Sequence, residues 1–187
     1  MTTRGQQLHA TADGHIAQLI ALVSTVDDAT LSAPCAGREK LGDGTVAASV
    51  QHTARNYARI AHFAQTSDRT SHADSPTERG DHRAPRFLHA VGHGPGTAPH
   101  AQHGPDGGEH EDQYAAANID LVAEVEQLSA SREALGRLLE LTNGQLDATP
   151  PKDSFRFCDG QRTLEQVLTS LLKHQSHQID ALRAAIP

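Results

Sequence analysis

The sequence predicts an all-α protein, an antiparallel up-down four-helix bundle with a long His/Gly/Pro-rich loop between its second and third helices. Three observations lead there. Four stretches repeat apolar residues every three or four positions, the spacing of an amphipathic helix. Aromatic residues are scarce, with four Phe, two Tyr and no Trp, so the core must be built from Leu, Val, Ile and Ala, as in packed helices. Segments rich in Gly and Pro, which break helices, separate the stretches. At 187 residues the chain is long enough for one domain with a sizeable core.

The first helix covers roughly residues 3–27. Its stripe is Leu8, Ala12, Ile16, Leu19, Val23 and Val26, and His15 falls beside it. The segment LSAPCAGREKLGDG follows as a loop. A second helix starts at Thr45, a suitable N-cap, and runs to about Gln65 with Val46, Val50, Tyr57, Ile60 and Ala64 inward. His52 sits toward the edge of this stripe, with Ser49 and Asn56 on the same side. His62 points away from the stripe. Residues 66–112 hold seven His, seven Gly and five Pro, a composition expected of a functional loop, a lid or a disordered insertion.

A third helix is expected from near Glu111 to Asn143-Gly144, with Leu121, Val125, Leu128, Leu135 and Leu139 on its stripe and Arg132 among them. The run DSFRFCDG after Pro150-Pro151 reads as extended. A fourth helix opens at Thr163 and buries Leu164, Val167, Leu168, Leu171, Ile179 and Leu182. In an up-down bundle the second and fourth helices run parallel. Cys-x-Gly precedes both of these helices, and a histidine follows the cysteine after 17 residues in one case (Cys35, His52) and 16 in the other (Cys158, His174).

The formal charge of −7 argues against nucleic acid as a partner, because phosphate binding needs a basic face. No apolar run is long enough to cross a bilayer, and the first residues lack the apolar stretch of a secretory signal. The expected location is cytoplasmic, and the expected partner a small-molecule substrate, with homodimerisation open. Two cysteines in such a chain are expected to be free thiols.

The thirteen histidines carry the chemistry. Neutral imidazole ligates Zn²⁺, Ni²⁺ and Fe²⁺. A histidine pair on one helix with a third from a neighbour makes a three-ligand site that keeps positions open for substrate. His52, His174 and His177 are the candidates. A helical wheel puts His174 at the border of the core face, Gln178 further in and His177 toward the outside, so Gln178 is the alternative third ligand.

Two stretches, GDGTVAASVQHTARNYARI and RTLEQVLTSLLKHQSHQIDAL, resemble helices of the DinB/YfiT-like superfamily of four-helix bundles. That superfamily includes mycothiol-dependent maleylpyruvate isomerases and related thiol S-transferases. Thr45 precedes His52 by seven residues and Thr163 precedes His174 by eleven, as the family pattern has them. The resemblance implies a divalent metal held by one histidine of the second helix and an H-x-x-x-H pair of the fourth. His52 and His174 match; the third position falls on Gln178, where the family has histidine.

The activity implied is thiol activation. A metal lowers the pKa of a low-molecular-weight thiol such as mycothiol, and the thiolate attacks a small electrophile in S-transfer or isomerisation. Arg132 is the candidate anchor for a carboxylate, unless its side chain simply reaches out of the bundle. Asn56 is the candidate to orient His52. Two other readings stand beside this one: a metal carrier built on the His-rich loop, and a metal-free bundle that binds a small molecule or a partner protein.

Overall fold

The computed structural model describes residues 2–70 and 119–187, and the side chains of these apart from 68–70. The expected start of a helix near Glu111 and the His-rich segment beyond residue 70 lie outside the described residues. The chain divides into two units, Met1–Asp74 with Glu111–Pro187 and Ser75–His110; all that follows concerns the first.

The described residues are mostly helical and include no strand: α1 (Arg4–Val23), α2 (Asp28–Leu31), α3 (Val46–Thr70), α4 (Leu121–Ala134), a 3-10 segment (Leu135–Glu140), α5 (Asn143–Asp147) and α6 (Leu164–Ala185). None of the helices is long and apolar enough to cross a membrane. Side-chain caps set most of their starts. Thr3 and Thr163 form capping boxes with Gln6 and Gln166, satisfying amide donors that a helix start leaves open. Thr45 Oγ1 accepts from the Ala48 amide at 3.2 Å, as expected for the start of α3. The predicted stripes of α1, α3 and α6 are buried, with Ala12, Ile16, Leu19, Val50, Tyr57, Leu168 and Leu182 fully so.

Four local expectations are corrected. The first helix stops at Val23, because Asp27 takes an extended backbone and caps a new single turn through the Thr30 amide. Within the described residues α4 runs from Leu121, where the Asp120 carboxylate accepts from the Val122 and Ala123 amides. It tightens into a 3-10 segment at Leu135. Three residues per turn put Leu138, not Leu139, beneath Leu135; Leu138 is buried and Leu139 is 49% exposed. Asn143-Gly144 does not end a helix but sits in the first turn of α5, behind the cap Thr142. The DSFRFCDG run is turned rather than extended: Cys158 N–H donates to the Phe155 carbonyl at 3.0 Å and Asp153 N–H to the Cys158 carbonyl at 2.9 Å.

The directions of the long helices also differ from expectation. Arg4 at the start of α1 bonds Glu165 at the start of α6 (Nε to Oε1, 3.0 Å), and Arg183 near the end of α6 bonds Gln18 near the end of α1 (2.8 Å). These two helices run parallel. Arg132 of α4 is paired with Asp13, and Leu138 beyond it lies against Gly5, so α4 runs antiparallel to α1. Arg38, before α3, reaches the carbonyl of His177 late in α6, whereas Phe63 late in α3 and Leu164 at the start of α6 line one cleft. Hence α3 and α6 are antiparallel, not parallel. Each of α1 and α3 packs against both α4 and α6. With α1 and α6 parallel, and α4 antiparallel to the first and α3 to the second, α3 and α4 run in one direction.

Candidate functional site

His52 occupies the second turn of α3 and His174 the middle of α6, and both side chains are half-buried where these helices pack. Burial pushes the His52 imidazole down to about 4; His174, Arg156, Arg59 and Arg38 add to the effect. His174 is lowered too, by burial first and then by Arg156, Arg38 and His177. The two rings are therefore electrostatic neighbours and are held neutral near pH 7.

Each ring has an amide one turn further along its own helix. Asn56 Nδ2 lies 2.8 Å from His52 Nε2, and Gln178 Nε2 lies 3.2 Å from His174 Nε2. An amide NH₂ can only donate, so both Nε2 atoms accept and the ring protons sit on Nδ1. Asn56 thus touches His52, as the sequence suggested. Gln178 is buried, and its Oε1 has no hydrogen-bond partner. His177 is exposed; its carbonyl accepts from Arg38 Nη2 at 2.9 Å. Among the described residues no three His, Cys, Asp or Glu side chains are grouped to hold a metal ion.

Arg132 is corrected. Its Nη2 donates to Asp13 Oδ2 at 2.9 Å and its Nε to Oδ1 of the same carboxylate. The carboxylate it anchors belongs to its own chain and ties α4 to α1. His15 packs inside as expected, with Nδ1 3.1 Å from the hydroxyl of fully buried Tyr57, and His62 is exposed. Cys35 and Cys158 are free and buried.

Three residues near the rings were missed in the sequence. Arg38 comes from the loop before α3. Arg156 and Phe157 come from the loop before α6. Phe157 meets the His174 ring edge-on, with centroids 6.4 Å apart, and Arg156 lies over the Phe157 ring at 5.2 Å. Phe157 has a φ of 68°, a left-handed conformation costly for a bulky residue. The hint in the sequence was an arginine flanking each cysteine, in CAGR and RFC, but nothing local says that both loops fold back to the imidazoles. Two clefts, of about 480 and 330 Å³, open near the start of α6 and near Phe63 and Pro150. Neither is lined by an imidazole, so the titratable chemistry, and not the size of a hollow, locates the candidate site.

The buried imidazole has a measurable consequence. An unfolded chain protonates His52 near 6.5, the folded chain near 4. The unfolded state binds the proton first as pH falls, so stability is full above about pH 6.5 and declines toward about pH 4. Urea unfolding between pH 7 and pH 4 is expected to show this loss, and His52→Ala to flatten it. An unchanged slope in the variant would place His52 in solvent.

No family model matches the chain, and comparison with curated proteins and with solved structures finds no match.

Proposed function

We propose that the chain is a four-helix bundle of the DinB/YfiT-like type, in which His52, His174 and Gln178 hold one divalent cation between α3 and α6. Gln178, rather than His177, is the third ligand. The observation that supports this is Oε1 of Gln178, a buried acceptor without a partner on the side chain that contacts His174. An orphaned buried acceptor costs about 1–3 kcal/mol, and a cation would satisfy it. Two neutral imidazoles and one amide oxygen suit Zn²⁺, Ni²⁺ or Fe²⁺ once the Asn56 and Gln178 amides turn away from the two Nε2 lone pairs they now occupy.

His52, His174 and Gln178 would hold the ion, which would supply the Lewis acidity that activates a low-molecular-weight thiol such as mycothiol. The activity that follows is S-transfer to, or isomerisation of, a small electrophile. The chain's own residues do the rest. Asn56 and Gln178 orient the two rings, and Phe157 shields one edge of His174 from water.

A second reading has its own support. Both Nε2 atoms already have amide partners, and among the described residues Arg38 and Arg156 act on the two rings. A metal-free site for a small molecule satisfies those facts as well. Elemental analysis of the native protein separates the readings. One metal per chain is expected, retained when residues 70–110 are deleted. Several weakly bound metals that vanish with that deletion would point to a carrier built on the His-rich segment. No metal above background would leave the metal-free site.

A further inference from the structure

We propose that the His52–His174 site takes a small organic oxyanion, a carboxylate or a phosphate, gripped by Arg38 and Arg156. The inference rests on these imidazoles marking the ligand site, and holds with or without a metal there.

Seven of the described arginines fall into two groups, beside Arg55 and Arg59, which have partners of their own. Arg4, Arg132, Arg137, Arg162 and Arg183 each reach a carboxylate of the chain. Arg38 and Arg156 form no ion pair among the described residues, and these two flank the imidazoles. Arg38 is fixed by one bond, Nη2 to the His177 carbonyl at 2.9 Å, while its Nε is buried with no acceptor. A buried donor of a charged group is expensive to leave unpaired. A guanidinium fork is completed best by an oxyanion that accepts two parallel bonds.

Arg156 is held differently. It stacks over Phe157, which packs edge-on to His174 in a left-handed backbone conformation. The strain in that turn is spent on keeping the Arg156–Phe157 pair beside the ring. The two arginines come from separate loops, one before each histidine-bearing helix, and both meet α6 about His174: Arg38 at the His177 carbonyl and Arg156 through Phe157. The unpartnered Oε1 of buried Gln178 then selects a ligand that also carries a hydroxyl or thiol donor.

The test is calorimetric titration of the full chain with malate, malonate and inorganic phosphate, before and after removal of metal by a chelator. At least one probe is expected to bind, more weakly at high salt. Malate binding more tightly than malonate would assign the inner donor, and phosphate alone would assign the phosphate class. Arg38→Lys and Arg156→Ala are each expected to weaken binding on the order of 10- to 100-fold, and Arg162→Ala to leave it unchanged. Arg38→Lys keeps the charge, and a thermal melt of each variant checks that it folds. Binding that persists after chelation supports the oxyanion site even where the metal reading fails. Binding by none of the three probes, or binding indifferent to both substitutions in folded variants, overturns the proposal.

Discussion

Replacing Gln178 with histidine is expected to tighten divalent-metal binding by about 100-fold, and replacing His174 with alanine to abolish it. Gln178→His creates the H-x-x-x-H spacing on a face that is already buried and already in contact with His174. Imidazole nitrogen is a stronger donor to Zn²⁺ or Ni²⁺ than an amide oxygen. His174→Ala removes one donor, leaves Gln178 Nε2 without its acceptor, and strips Phe157 of its edge contact. His177→Ala is the control, because that ring is exposed and its carbonyl, which the substitution keeps, makes the bond to Arg38. Metal competition with a chromophoric chelator measures all three. Equal loss from His177→Ala and His174→Ala would restore His177 as a ligand and remove Gln178. Unchanged affinity in Gln178→His would remove the metal from this cleft altogether.

The second large effect is on stability. Gly5→Ala is expected to destabilise the fold by about 2–3 kcal/mol, a fall in Tm of roughly 5–10 °C. A Cβ at Gly5 would stand 2.3 Å from the Leu138 carbonyl oxygen and 3.4 Å from its carbon. Both are backbone atoms of the 3-10 segment, so no side chain can swing away, and α1 would have to move off its neighbour. Gly14→Ala is the matched comparison. It lies in the same helix with nothing within 4 Å of its Cβ position, so alanine there should stabilise by up to about 1 kcal/mol through helix propensity. Paired thermal melts should therefore shift in opposite directions. Equal shifts would mean that α1 and the 3-10 segment do not approach so closely.

Much of the helix content was legible because its causes are local. A 3.6-residue period of apolar side chains defines which face of α1, α3 and α6 is buried, and Thr45 and Thr163 announce two of the starts. The same arithmetic placed Gln178 inward and His177 outward, and it put Asn56 beside His52. Leu139 failed for a tertiary reason. The close approach of the 3-10 segment to Gly5 accompanies a tighter winding there, and the register of burial moves to Leu138. Arg132 was open between anchoring a ligand and reaching out of the bundle, because its position on a stripe says nothing of Asp13, more than a hundred residues away on another helix.

By itself, then, the order of residues determined the helical character of the chain, its inward faces and the histidines worth watching. Such features are settled within a few turns of backbone. Which way each helix runs, that Arg38 and Arg156 come beside the imidazoles, and where Phe157 accepts a strained backbone were decided only in three dimensions. They depend on contacts between segments far apart in the chain, where the cost of a buried donor or a close backbone approach is set by whatever the fold brings alongside.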